Sequence, residues 1–116
     1  MARGITDAGY IVTRWTVRPD ARRDHDVAVE ALLRHTAMVH PRITGTVCLR
    51  CGWDEYLHVA HIGSLTTLEE IQRIEETPEC DEVWDDVRRY MVPGSMSITF
   101  WSEVGREHWK PLGGMT

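Results

Sequence analysis

Apolar and polar positions change period several times along the chain, and each change marks an element. Tyr10 to Arg18 (YIVTRWTVR) is rich in β-branched and aromatic side chains without helical spacing, and Pro19 with Asp20 closes the run, so it predicts a first strand. From Asp20 to His40 the positions Ala28, Ala31, Leu32, His35 and Met38 recur at three and four until Pro41. That spacing predicts a helix with His35 on its inward stripe. Ile43 to Cys51 and Tyr56 to Gly63 read as two strands joined by Gly52, Trp53, Asp54 and Glu55. Pairing Cys51 with Tyr56 places Leu49 opposite His58 and Val47 opposite Ala60.

Thr66 followed by Glu69 is a capping-box pattern opening a helix through Leu68, Ile71 and Ile74. Thr77 and Pro78 interrupt it. Thr77 then caps a second helical piece with Pro78 at its first position, continued by Cys80, Val83, Trp84, Val87 and Met91. Pro93 and Gly94 end it, and Ser95 to Val104 (SMSITFWSEV) alternates as a fourth strand. Residues 105–116 form a polar, glycine-rich tail apart from Trp109.

The order βαββαβ predicts an α+β, ferredoxin-like domain: a four-stranded antiparallel sheet with two helices on one face. The 116 residues fit a single domain with its core at about residues 9–104. Val47, Leu49, Leu57, Val59, Ile98 and Phe100 put apolar groups at both strand parities, so neither sheet face is suited to water. A second copy covering the open face through its own sheet would give a homodimer, a dimeric α/β barrel with a cleft between sheet and helices in each subunit.

Composition narrows the partners. A chain 42% hydrophobic and 27% charged is that of a soluble globular protein. It has no apolar run of the roughly 18 residues a membrane span needs, and MARGITDAGY lacks the apolar core of a signal peptide. A cytoplasmic location and no membrane partner are the expectation. The net charge is −5, and the one basic cluster, Arg18, Arg22 and Arg23, is broken by Asp20 and followed by Asp24 and Asp26. That is the wrong balance for nucleic acid, whose binding rests on clustered cations.

Three cysteines, Cys48, Cys51 and Cys80, are expected as reduced, packed thiols. Cys48 and Cys51 followed by His58 and His61 supply the donors of a zinc site on paper. On a strand, however, residues three apart face opposite ways and sit about 10 Å apart, so no metal is expected there. The same cysteines lack the strand-to-helix junction of a redox pair.

His58 is a polar group on the otherwise apolar strand face of Tyr56, Ala60 and Ile62. His35 and His58 on facing surfaces would suit proton transfer near neutrality, and the plainer alternative has each bonded to a backbone carbonyl. Arg14, Arg50 and His61 are the other polar strand groups, able to line the cleft and bind an oxyanion or to reach solvent at a sheet edge. Among the tryptophans, Trp84 reads as core, while Trp15 and Trp101 are candidates for an aromatic wall against a planar ligand.

Asp54, Tyr56 and His58 with Val59, then Thr77 and Pro78, then Glu82 and Val83 through Arg88, Arg89 and Tyr90 to Pro93, resemble the tetracenomycin-type polyketide synthesis cyclases. The resemblance runs over most of residues 10 to 104. It implies a dimer of ferredoxin-like domains acting in antibiotic biosynthesis, each cleft closing a ring on a small aromatic polyketide with no metal or organic cofactor. It also carries catalytic roles to His35, Tyr56 and His58. The chain departs from the family pattern at Thr36, where an acidic residue follows the helix histidine, at Trp53, where a histidine stands, and on the second strand, where only Arg50 remains of several arginines.

The resulting expectation is a cofactor-independent cyclase or dehydratase of an aromatic polyketide or related intermediate. His58 or His35 would remove a proton alpha to a carbonyl, and Arg50, Arg14 or Tyr56 would stabilise the oxyanion. Two alternatives share the fold: a cofactor-free monooxygenase of phenolic natural products, and a non-catalytic dimer that binds small molecules.

Overall fold

The computed structural model describes residues 7–105. Its elements run β1 (Gly9–Thr16), a 3-10 turn (Pro19–Ala21), α1 (Arg22–Val39), β2 (Ile43–Cys51), β3 (Glu55–Ile62), a second 3-10 turn (Leu65–Thr67), α2 (Leu68–Glu75), α3 (Pro78–Arg88) and β4 (Ser97–Ser102). The strands form one antiparallel sheet in the order β2-β3-β1-β4, which is the ferredoxin-like arrangement. Residues 106–116, with most of the predicted tail, lie outside the described residues. No helix among the described residues is long and apolar enough to cross a membrane.

The second helical segment is broken where Pro78 lacks an amide hydrogen, and Pro78 opens α3 at a position that needs none. The predicted caps differ. Ser64, not Thr66, starts α2's lead-in turn by accepting from the Thr66 amide at 3.3 Å, while the Thr77 hydroxyl donates back to the Ile74 carbonyl at 2.7 Å. The buried stripe of α1 is also one step out of the expected phase. His25, Val29, Leu32 and Thr36 face inward, whereas Ala31 and Met38 are exposed and His35 lies half-buried at the edge.

The β2–β3 register corrects the predicted pairing. Gly52, at φ 65°, lets three residues make the connection, so Cys51 pairs with Glu55, Arg50 with Tyr56 and Cys48 with His58. A one-residue slip reverses every side chain on a strand. Leu49 and Val47 therefore pair with Leu57 and Val59 on the outer face, and Cys48 and Arg50 turn toward the helices.

Along β3 the burial alternates without exception, with Tyr56, His58, Ala60 and Ile62 under the helices. The main core joins Trp15 and Val17 to Val29 and Leu32 of α1, Tyr56 of β3 and Val87 of α3. On the outer face Val47, Leu49 and Trp101 are exposed beside half-buried Val12, Leu57 and Val59. Gly9 is required by a close approach: a Cβ there would collide with the Trp101 carbonyl oxygen and lie 2.8 Å from Leu65 Cδ2.

Candidate active site

A cavity of about 580 Å³ opens between the sheet and the α2–α3 segment. Ile11, Ala60, Ile71, Trp84, Ile98 and Phe100 make its walls predominantly apolar, Thr13, Thr36, His58, Gln72 and Glu75 supply polar groups, and the ion-paired Asp81 and Arg88 stand at its border. Its size and lining suit a small, largely apolar organic molecule. Ile98 and Phe100 of the edge strand β4 border the cavity yet remain 52% and 61% exposed, so this side is its open mouth.

His58 is the buried titratable group in this apolar wall. It is 5% exposed, its ring meets Trp84 edge to face at 5.5 Å, and its Nε2 has no hydrogen-bond partner among the described residues. Burial, opposed weakly by the Glu75 charge, lowers its pKa to about 4. The imidazole is therefore neutral at pH 7, with an unpaired ring nitrogen among the cavity residues, as a proton acceptor or ligand anchor requires. At Glu75, Trp84 Nε1 donates to Oε1 and His40 Nε2 contacts Oε2, both at 3.2 Å. Burial alone would raise this carboxyl, but the hydrogen bonds from His40, Trp84 and Cys80 outweigh it and keep the group ionised.

The other expected site residues fall elsewhere. His35 does not meet His58; its Nε2 contacts Cys80 Sγ at 3.3 Å in the α1–α3 seam. Tyr56 shares the face of His58 but sits deeper, its ring parallel to Trp15 at 6.2 Å and its hydroxyl donating to Asp26 Oδ1 at 2.8 Å. Burial first, and then this bond, raise the phenol pKa, so Tyr56 is a fixed hydroxyl outside the cavity lining. Arg50 lies beyond it, with Nη1 3.9 Å from Asp26 Oδ2, in a shallow surface depression shared with Arg22 and Arg23.

Trp15 cannot form a ligand wall. It is fully buried and its Nε1 donates to His25 Nε2 at 2.8 Å. Trp84, expected as core, does pack against the core, edge to face on Trp15 at 6.1 Å, and also lines the cavity. The register sends Arg14, His61 and Trp101 to the outer face. There Arg14 pairs with Glu55, His61 lies 5.0 Å from the Tyr10 ring, and Trp101 Nε1 donates to Thr99. The same alternation puts Cys48 and His58 on one face and Cys51 and His61 on the other, so these four do not converge.

Two groups were missed from sequence. His25 and Asp26 sit in a charged run, Arg22 to Asp26, that reads as solvated, yet His25 is fully buried and bridges Trp15 to Asp26. The spacing of His25 with Val29, Leu32 and Thr36 was the available signal. Glu75 and His40 are joined across two helix ends, a contact that no local spacing reports.

The sheet order and the layer of helices define a ferredoxin-like α+β fold. Among solved structures, SnoaB, a cofactor-independent oxygenase from Streptomyces nogalater, matches with a TM-score of 0.69 at 15% identity, over 88% of this chain and 96% of that one. A Caulobacter crescentus CB15 protein provisionally described as an antibiotic biosynthesis monooxygenase matches at 0.69 and 13% identity, over 85% and 92%. A conserved protein from Methanosarcina mazei Go1 matches at 0.70 and 9% identity, over 84% and 94%. No family model matches the sequence, and no curated protein matches it. Likeness at these identities defines the fold, and chemistry must be argued from the site.

Proposed function

We propose that the chain is a cofactor-independent monooxygenase of a planar phenolic intermediate in natural-product biosynthesis, working as a homodimer paired through its outer sheet faces. The carrying observation is His58, a neutral imidazole whose Nε2 has no partner among the described residues, in a predominantly apolar cavity. It would take a proton from an activated carbon or phenol of the bound substrate, leaving an electron-rich anion between Trp84 and the β4 side chains. Such an anion can reduce dioxygen directly. For oxidation of a ring methylene to a carbonyl, the carbon loses two hydrogens, one oxygen atom becomes the new carbonyl and the other leaves as water. The substrate supplies the electrons, so no external reductant enters.

The cyclase reading uses the same proton abstraction but needs donors for an oxyanion. Arg14 lies on the outer face, Arg50 and Tyr56 are engaged around Asp26 away from the cavity lining, and Arg88, which does line the cavity, is held by Asp81 and Asp85, which favours oxidation. SnoaB, with its oxygenase description, supports the same choice. The strand-three residues Tyr56 and His58, which resemble the cyclase family, are the observation favouring ring closure as the second reading.

Turnover of hydroxylated polycyclic aromatics under labelled oxygen gas tests the proposal. One oxygen consumed per product, with one labelled atom retained, is expected. Product formed by loss of water without oxygen uptake would establish the cyclase reading, and saturable binding with no conversion across the panel would leave a binding protein.

A further inference from the structure

Three helix ends converge beside the cavity and bring together a set of side chains that the proposed oxidation does not use. His35 and His40 come from the last turn and C-cap of α1, Glu75 closes α2, and Cys80 lies in the first turn of α3. One ligand atom each from His40, Glu75 and Cys80 lies within 4.8 Å of the others. His35 Nε2 is 3.3 Å from Cys80 Sγ, and His40 Nε2 is 3.2 Å from Glu75 Oε2. His40 and Cys80 are 4% and 2% exposed, and His40 Nδ1 has no hydrogen-bond partner among the described residues.

The His40–Glu75 separation is that between two ligands of one tetrahedral zinc ion, and Cys80 Sγ lies within 4.8 Å of both, close enough to join them by a small side-chain adjustment. Bond lengths of about 2.05 Å to nitrogen or oxygen and about 2.3 Å to sulfur place neighbouring donors about 3.3 to 3.6 Å apart. An imidazole, a carboxylate and a thiolate form a donor set of the kind that selects zinc over magnesium or calcium, which prefer all-oxygen sites. The C-termini of α1 and α2 bring negative dipole ends to the cluster, and the first turn of α3 favours a thiolate at Cys80. The His40–Glu75 contact holds two of the donors at ligand spacing, and His35 contacts the third, Cys80, from outside the group. The geometry points to a zinc-class divalent transition-metal site formed by His40, Glu75 and Cys80, with its fourth position open to water, at the junction of α1, α2 and α3.

The site is separate from the Cys48, Cys51, His58 and His61 combination, whose members face opposite ways. It shares only Glu75 with the cavity lining, so an ion there would fix the α2–α3 segment that carries Trp84. Binding would expel the Cys80 thiol proton and leave a metal–sulfur bond, a signature no surface carboxylate cluster gives.

The test is titration of the full chain, stripped of metal by chelator, with zinc against a chromophoric competitor and with cobalt followed by absorption. We expect one equivalent of each, cobalt bands of a tetrahedral ion, and a near-ultraviolet sulfur-to-cobalt charge-transfer band. Cys80→Ser should abolish the charge-transfer band. His40→Gln should weaken zinc binding by more than about 100-fold, beyond the loss typical of an outer-shell partner. Cys51→Ser, altering the exposed outer-face thiol, and His58→Gln should leave both readings unchanged. Far-UV circular dichroism checks that each variant is folded. No stoichiometric binding by the wild-type chain, a cobalt spectrum without the sulfur band, or a band lost in Cys51→Ser would each overturn the site, whatever the variants show and whether or not the oxygenase reaction is found.

Discussion

The His58 and Trp84 rings meet edge to face at 5.5 Å, the one from β3 and the other from α3, and together they form a polar point and a flat wall in one cavity. Trp84 is held in turn by its indole bond to Glu75. This pairing turns the space between sheet and helices into a site with direction: an aromatic ligand laid along the indole would present its edge to His58 Nε2.

Trp84 and Trp15 should therefore separate cleanly on substitution. Trp84→Leu removes the wall and should raise the dissociation constant of an aromatic ligand about tenfold or more, in keeping with the value of a buried ring contact. Trp15→Phe lies outside the cavity lining and should leave that constant unchanged. It should cost about 2–3 kcal/mol of stability, because His25 Nε2 loses its donor in the core. Fluorescence titration and urea unfolding of the two variants read both effects.

The lowered pKa of His58 sets a pH dependence of stability. An unfolded histidine titrates near 6.5 and His58 near 4, so between these values the unfolded chain binds more protons than the folded one. Stability from this group should hold above pH 6.5 and fall by about 3 kcal/mol as the pH drops to 4. His58→Gln should flatten that part of the profile in denaturant unfolding at a series of pH values. An unchanged slope would show that His58 is not buried in its neutral form.

Leu49 pairs with Leu57 on the outer face and is 50% exposed in the single chain, in a patch with Val47, Val59 and Trp101. If that face pairs two copies, the wild-type chain should run as a dimer in light scattering, and Leu49→Glu should yield monomers by burying an unpaired charge. A monomeric wild-type chain would remove the dimer from the account.

Gly9→Ala forces a methyl group against the Trp101 carbonyl and Leu65, where β1 meets β4. Backbone cannot yield as a flexible side chain does, so a loss of about 1–3 kcal/mol is expected in thermal or urea unfolding.

How much of this was legible in the sequence depended on how local its cause was. The break at Pro78, the strand closed at Pro19 and the alternation along β3 each arise from a few neighbouring residues, and all stand in the structure. The β2–β3 register turned on whether Glu55 belonged to the turn or the strand, a choice made by the left-handed conformation at Gly52 and invisible to apolar period alone. That slip decided which face Arg50 and Leu49 occupy. The inward placement of His58 was legible because a polar residue interrupts an apolar face. Its supposed partner His35 was lost because the α1 stripe is centred on His25, Val29 and Leu32, which leaves His35 at the helix seam. Trp15 is core where a wall was expected, and Trp84 packs on the core as expected while also lining the cavity, a double contact set by tertiary packing and not by local spacing.

The most direct measurement is parallel determination of aromatic-ligand affinity and single-turnover rate for wild-type protein and His58→Gln. The account predicts binding within about threefold of wild type, with the rate of oxygen-dependent conversion reduced about 100-fold to 10,000-fold, the range general-base catalysis supplies. A His58→Gln chain that binds and turns over like wild type would contradict the central assignment.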